Sequence, residues 1–273
     1  MDSLGPDSAT WRVMADVRTA LCSGRALLMQ VSHPAVGAAV AKFSDFRTNP
    51  WPRLWGTVNS AFILTFGGPQ SDHEARRLRA LHRTIHGVDA SGRRYHALNP
   101  ENYFWVHATL LDSAIAAWRH FATPVTDEER LYAEWRSLGA RLGIPPRTTP
   151  ATYADFRAYV DDMTATALTN TRSAQEVLHA LTGDVPPPLP RFPLWDRLMP
   201  RLGTHLTRLT LGTLPHPLRE KLNVPWTSSD ALRFARQADR IRATVSALPR
   251  WARQYPGATY AFRHPMPSPY PTD

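Results

Sequence analysis

Residues 97–121, ALNPENYFWVHATLLDSAIAAWRHF, form an almost unbroken apolar stretch that constrains the fold more than any other segment. Asn99 followed by Pro100 predicts a helix start, because asparagine caps free N–H groups and proline fits the first turn. At 3.6 residues per turn, one face of this helix carries Phe104, His107, Leu111, Ala114 and Trp118. His107 and Asp112 interrupt the stretch, so it does not reach the length of a membrane span.

His107 lies on the face of this helix that should meet the core. A buried, neutral histidine bonded to a backbone carbonyl is the commoner reason for such a residue. A metal ligand or a catalytic group is the other reason. The helix alone leaves both interpretations open.

The rest of the chain shows helical periodicity and no strand-like alternation of useful length, which predicts an all-α fold. Capping boxes are expected to open two helices, one at Ser71–Glu74 and one at Thr126–Glu129. The first of these helices should run to Gly87 and the second through 142–143. Further helices are predicted over residues 11–21, 24–31, 35–43, 152–169, 198–211 and 229–248.

We expect one helical domain over residues 1–263 of the 273-residue chain. The proline-dense segment 183–195 should form an extended strap across the surface, and the tail 264–273 should be disordered. A single cysteine, Cys22, excludes an intrachain disulfide and a cysteine-based metal site, and it is expected to be a small buried thiol. No secretory signal is recognisable, so a cytoplasmic protein is expected.

The formal net charge is +9, which allows a nucleic-acid partner. The positive residues are nearly all arginines, however, and they are spread along the whole chain with no basic block. This pattern favours a GC-rich genome as its origin over a nucleic-acid surface. The chain also lacks G-x-S-x-G, Walker and G-x-G-x-x-G motifs, which argues against hydrolase and nucleotide-binding functions.

The segment RRLRALHRTIHG places Arg79, His82 and His86 at one-turn spacings on a predicted helix. The His82/His86 pair could bind a metal, although Arg83 stands where the H-E-x-x-H pattern requires glutamate. If this helix and the His107 helix are antiparallel neighbours, His82 and His107 could face one pocket. Such a pocket suits a non-covalent haem, with one histidine as axial ligand and Arg79 near a propionate or bound oxygen.

Other residues that could line this pocket are His33, at a helix break in VSHPAVG, and Phe104 and Trp105. His33 is equally well explained as a turn residue.

Several stretches in order resemble oxygenase catalytic domains of the family that includes the latex-clearing rubber oxygenases and the mycophenolic-acid-pathway oxygenase. They are RALLMQVSHPAVGAAVAKFSDFRTNPWPRL, RRLRALHRTIHG, GRRYHALNPENYFWVHATLLDSAIAAW, LGIPPRTTPATYADFRAYVDDM and, more weakly, LREKLNVPWTSSDALRFARQADRIR. The resemblance spans roughly residues 11–245, and the combination of S-H-P, R-x-x-H and W-V-H-A-T is distinctive.

The resemblance implies a globin-like helical core around a non-covalent haem b, with His107 as the iron ligand and Arg79 and His82 on the distal side. In the rubber oxygenases that the chain resembles, a lysine followed by a threonine stands at the positions that hold His82 and Arg83 here. That departure points to a small, largely apolar substrate instead of rubber. The resemblance thus implies a haem-dependent oxidase or oxygenase that uses dioxygen or peroxide, with a redox partner allowed. The alternatives are a bis-histidine haem sensor or electron carrier, a haem-free nucleic-acid binder and a di-histidine non-haem metal protein.

Overall fold

The computed structural model describes residues 4–44, 50–181 and 195–263, and it confirms the all-α class. Its helices are α1 (Ala9–Ala15), α2 (Ser23–Val31), α3 (Pro34–Phe43), α4 (Pro50–Phe66), α5 (Gln70–His82), α6 (Pro100–Phe121), α7 (Glu128–Arg141), α8 (Tyr153–Asp162), α9 (Arg172–Leu181), α10 (Trp195–Thr213), α11 (His216–Lys221), α12 (Ser228–Ala247), α13 (Arg250–Arg253) and α14 (Pro256–Arg263). Shorter elements are 3-10 turns at Val17–Cys22 and Pro146–Thr148, a π-helical turn at Met163–Ala167, and strands β1 (His86–Val88) and β2 (Arg94–His96).

The predicted strap, apart from Trp195 in α10, and the predicted tail lie outside the described residues. The single domain and the globin-like form of the core stay predictions. None of the described helices combines the length and the hydropathy needed to cross a membrane.

Helix α6 is the element around which the others pack. Asn99 caps it as predicted, and its side-chain oxygen accepts hydrogen bonds from the N–H groups of Glu101 (3.0 Å) and Asn102 (3.2 Å). The 3-10 turn Val17–Cys22 contacts α6, as do helices α1, α2, α7, α8, α10 and α12. Each large apolar side chain that α6 buries contributes about 1.5–3 kcal/mol, so this helix organises the core.

Asp112 ties α6 to two neighbouring helices through buried charges. It forms ion pairs with Arg25 of α2 and Arg157 of α8. Arg25 also donates to the Ser113 hydroxyl (2.8 Å) and to the Thr213 carbonyl (2.8 Å). Burial alone would raise the pKa of Asp112, but the two guanidinium charges hold it below its ordinary value. The carboxylate therefore stays charged in the core.

The start of α5 differs from the prediction of a capping box at Ser71. The Ser71 hydroxyl donates to the Gly68 carbonyl (2.7 Å), and the helix begins one residue earlier, at Gln70. The second predicted box is also wrong by one position, because Asp127 caps α7 and accepts a hydrogen bond from the N–H of Arg130. At α5 the Ser71 hydroxyl bonds a carbonyl instead of a helix N–H, and at α7 the neighbouring Asp127 takes the capping role.

The end of α5 is the larger correction, since the helix stops at His82 and not at Gly87. The chain then forms the antiparallel hairpin β1–β2, in which His86 lies opposite His96. The Asp89 carboxylate accepts hydrogen bonds from the N–H groups of Ser91 and Arg93, which fix the turn.

Two further predicted helices also differ from the structure in their boundaries. The predicted helix over 11–21 is divided at Asp16, whose side chain accepts a hydrogen bond from the N–H of Arg18 and starts a 3-10 turn. The predicted helix over 152–169 ends at Asp162 and continues as the π-helical turn. Helices α4, α9, α11, α13 and α14 were not predicted.

Segments far apart in the chain meet beside α1. Asp16 and Gln254 form an isolated antiparallel bridge, and the N–H of Tyr255 donates to the Ala15 carbonyl (3.0 Å). Beside them, Trp11 packs edge-on against Phe66, with ring centroids 4.8 Å apart. The contact joins α4, α14 and the N-terminal helix.

Candidate functional site

His107 is buried, with 4% of its surface exposed, and it faces α7. Its Nε2–H donates to the Trp135 carbonyl (2.9 Å), and its ring stacks on the Trp135 indole with centroids 4.7 Å apart. The indole N–H returns a hydrogen bond to the His107 carbonyl (3.1 Å). Burial lowers the pKa of His107 to about 4, although the carbonyl bond opposes this shift. The imidazole is therefore neutral near pH 7.

Gly139, one turn after Trp135 on α7, allows the His107 ring to approach. A Cβ added at Gly139 would stand 3.0 Å from Nε2, which is closer than most such contacts. The bond from Nε2 to a carbonyl is found both in structural buried histidines and in metal-ligating ones, where it orients the ring. It keeps both interpretations of His107 open.

Arg79 lies in the last turn of α5 and reaches the end of α7. Its Nη1 donates to the carbonyls of Leu142 (3.1 Å) and Gly143 (3.3 Å). Gly143 has a φ of +79°, and a Cβ there would collide with the guanidinium group. Arg79 thus satisfies the carbonyls at the C-terminus of α7.

His82 lies at the end of α5 beside the start of α6. Its Nδ1 is 2.6 Å from the Leu78 carbonyl, so Nδ1 carries the proton and Nε2 keeps a lone pair. Its ring meets Tyr103 edge-on, with centroids 5.7 Å apart. Helix α5 meets α6 at this ring contact, while most of α5 packs along α4. The expectation that α5 and α6 lie side by side is not confirmed.

The helical one-turn spacing predicted for His82 and His86 is wrong, because α5 ends at His82 and His86 lies in β1. His86 instead stacks on His96 across the hairpin, with centroids 6.2 Å apart. Within the described ranges, no group of three or more histidine, cysteine, aspartate or glutamate side chains is arranged to hold a metal ion. Cys22 is a free, fully buried thiol, as predicted, and burial raises its pKa to about 11.

His33 and Phe104 meet in one cleft of about 500 Å³, whose lining does not include His107 or Trp135. His33 precedes α3 and makes no capping bond, and its buried Nδ1 has no hydrogen-bond partner among the described residues. Burial, with a smaller contribution from Arg93, lowers the pKa of His33, so the ring is neutral. A buried nitrogen without a partner costs about 1–3 kcal/mol, which makes His33 a candidate polar contact for a molecule in the cleft.

The sequence reasoning missed the other side of this cleft. Tyr159 of α8 packs on Phe104 with ring centroids 5.1 Å apart, and Met163 lies beside it in the lining. Arg147 and Thr148 enter from the 3-10 turn, and Glu101 from the first turn of α6. These residues lie within stretches that resemble the family, but no spacing or charge pattern singles them out, because separate turns and helices bring them together.

The structure therefore does not bring the candidates into one pocket. Within the described residues, His33 and Phe104 share the cleft, whose lining does not include His107. His107 and Arg79 meet the last turns of α7, and His82 meets Tyr103. Trp105, which was also predicted to line the pocket, is fully buried and donates from its indole N–H to the Met29 carbonyl (3.2 Å).

Comparison with protein families gives one match, which covers most of the chain. The model of the family described as ER-bound oxygenase mpaB/B'/rubber oxygenase, catalytic domain, matches residues 11–243. Comparisons with curated proteins and with solved structures give no match.

Proposed function

The chain belongs to the mpaB/B'/rubber oxygenase catalytic domain family, and we propose that it oxidises a small, largely apolar molecule with a non-covalent b-type haem ligated by His107. The family is an oxygenase catalytic domain, which supports an oxygenase reaction. The haem, the substrate class and the role of each residue are our proposal. The observation that carries it is the buried, neutral and oriented imidazole of His107 on the central helix.

The chemistry of His107 fits a haem ligand. A ligating imidazole must be neutral, and the low pKa of His107 keeps it so across the physiological range. Metal-bound histidines usually donate their second N–H to a carbonyl or carboxylate, and the Trp135 carbonyl offers such an acceptor. A bound b-type haem would supply the activation of dioxygen or peroxide, which protein side chains do not provide.

We propose that His82 and Arg79 of α5 would supply a proton-transfer group and a cation to a bound haem, although in the structure they do not share a pocket with His107. The lone pair on Nε2 of His82 can accept a proton and return it, while the bond from Nδ1 to Leu78 fixes the ring. Arg79 cannot lose its charge, so it can hold an anionic group such as a propionate with the nitrogens that do not bond α7. The burial of His107 keeps water from its ring, and the same burial lowers its pKa.

The test is haem binding by two histidine variants of the same helix. The full chain is produced with a haem precursor, and its haem is measured by the Soret band and a pyridine haemochrome assay. We expect haem in the wild type and its loss, or a shifted Soret band, in His107→Gln. Glutamine can still donate to the Trp135 carbonyl, so this variant preserves packing better than alanine. His120→Gln, which changes a half-buried histidine of α6, is the control and should keep haem.

Two results would contradict the proposal. A wild-type protein that stays colourless after reconstitution with haemin removes the haem. An unchanged spectrum in His107→Gln, at equal haem content, removes His107 as the ligand. A six-coordinate spectrum that changes in His82→Ala would favour the sensor or electron carrier with two histidines on iron.

A further inference from the structure

We infer that the cleft between α6, α8 and the 3-10 turn Pro146–Thr148 binds a small apolar molecule that carries a carboxylate, which Arg147 pairs at the rim. The volume of about 500 Å³ lies within the range of small-molecule sites, about 300–1,000 Å³. That this molecule is the substrate rests on the proposed function. The binding itself rests on the cleft.

Arg147 is the cation that the cleft leaves without a counterion. Among the described residues no carboxylate forms an ion pair with it and no carbonyl accepts a hydrogen bond from it. Arg147 is exposed at the mouth of the cleft, whereas the buried Arg25 and the half-buried Arg157 are paired with Asp112. An arginine fork matches a carboxylate, to which it can donate two parallel hydrogen bonds.

Glu101 lines the same cleft but is already compensated. It lies in the first turn of α6, where the free N–H groups and the helix dipole stabilise a negative charge. Its carboxylate also lies close enough to Tyr159 to add to the burial that raises the pKa of that phenol, so the tyrosine stays protonated. The rim therefore offers an uncompensated positive charge at Arg147, which favours an anionic ligand over a cationic one.

The walls of the cleft select the rest of the ligand. Phe104 and Tyr159 present two rings tilted by 44° to each other, and Met163 adds a flexible apolar side chain. His33 supplies the inner polar group, since its buried Nδ1 has no partner in the described chain. A flat apolar body fits between the rings, and a hydroxyl or carbonyl on that body would satisfy the His33 nitrogen.

The cleft also lies close to the proposed reaction centre along the chain. Phe104 in the cleft and His107 are separated by three residues, which is about one helical turn of α6. A ligand held against Phe104 is thus one turn away from the residue that we propose as the iron ligand.

The experiment compares two probes with the same ring system, 2-naphthoate and 2-naphthylmethanol, by isothermal titration calorimetry on the full chain as purified. We expect the wild type to bind the carboxylate at least about tenfold more tightly, which corresponds to about 1.4 kcal/mol. Arg147→Gln should remove the preference, and Arg147→Lys should keep part of it. Arg240→Gln changes an exposed arginine of α12 and should behave as the wild type.

Equal binding of the two probes, no binding of either, or a preference that survives Arg147→Gln would each overturn the inference. The haem content of every sample is recorded, so that the two proposals fail separately. A carboxylate preference in a protein without haem keeps the cleft and contradicts the haem chemistry. A haem protein that binds both probes equally keeps the haem chemistry and contradicts the carboxylate site in the cleft.

Discussion

The polar groups beside two levels of α6, at Asp112 and at Phe104, differ in whether the chain supplies their partners. At Asp112 the carboxylate is enclosed by two arginines, and Arg25 in turn bonds a hydroxyl and a carbonyl. At Phe104, two turns earlier, the neighbouring polar groups His33 and Arg147 have no such partners within the described chain. At the first level the charge of Asp112 is neutralised by arginines of the chain, although its Oδ2 meets Arg25 as an ion pair without a hydrogen bond. At the second level the described chain supplies no partner for the His33 nitrogen or for Arg147.

The difference separates stability from binding along one helix. A buried charge with every partner supplied by the chain holds elements together, and removing one partner is costly. A polar group that the chain leaves unpaired lowers stability and is retained where a ligand uses it. His107 lies between the two levels, with one nitrogen bonded to Trp135.

The largest effect should follow from Asp112→Asn, because it leaves Arg25 buried without a countercharge and leaves Arg157 only its exposed partner Asp161. We expect a loss of about 3–5 kcal/mol in the free energy of unfolding, measured by urea denaturation. Asp161→Asn removes the exposed partner of Arg157 (3.1 Å) and should cost under about 1 kcal/mol. Equal losses in the free energy of unfolding for Asp112→Asn and Asp161→Asn would mean that burial of an ion pair does not determine its contribution to stability.

An intermediate effect concerns the pH dependence that His107 contributes. The folded chain keeps its imidazole neutral down to a pKa of about 4, while a free histidine takes up a proton near 6.5. Between these values the unfolded state binds more protons, so the free energy of unfolding falls as the pH is lowered. His107 stabilises the fold fully above about pH 6.5 and should lose about 2 kcal/mol of this contribution between pH 7 and pH 5.

The measurement for His107 is the difference between wild type and His107→Gln in urea denaturation at pH 7 and pH 5. The variant should show the weaker acid sensitivity. His205→Gln, in which an exposed histidine of α10 is changed, should keep the wild-type sensitivity. Parallel curves for wild type and His107→Gln would show that the imidazole is not held neutral.

The smallest effect should have the opposite sign. His33→Leu replaces a ring whose buried Nδ1 lacks a partner, and His33 makes no capping bond that would be lost. We expect the free energy of unfolding to rise by about 0.5–1 kcal/mol, measured by thermal and urea denaturation. His205→Leu controls for the change of residue type. A destabilised His33→Leu protein would place His33 with Asp112, as part of the scaffold.

The sequence predicted what local patterns control. The cap at Asn99, the buried face of α6 and the helices α2, α3 and α12 agree with the structure to within about one residue. The same local rules failed around Ser71 and after His82, where a competing hydrogen bond and a hairpin turn at Asp89 decided the outcome. Helix periodicity does not weigh such alternatives.

The candidate site was predicted in part for a similar reason. His33 and Phe104 each carried a signal, a helix break and an apolar face, and the structure places them together. Arg147 and Tyr159 carry no signal of their own, because their importance depends on how a 3-10 turn and α8 pack against α6. Only the tertiary arrangement shows which polar groups remain unpaired.

The bridge between Asp16 and Gln254 has a consequence for the order in which the chain folds. It joins residues 238 positions apart (254 minus 16), so its formation closes nearly the whole chain into a loop. During synthesis, the partner of Asp16 leaves the ribosome only after every helix from α1 to α13 has been made. Long-range contacts of this kind form slowly, and α1 should therefore gain its final packing last, although it is made first.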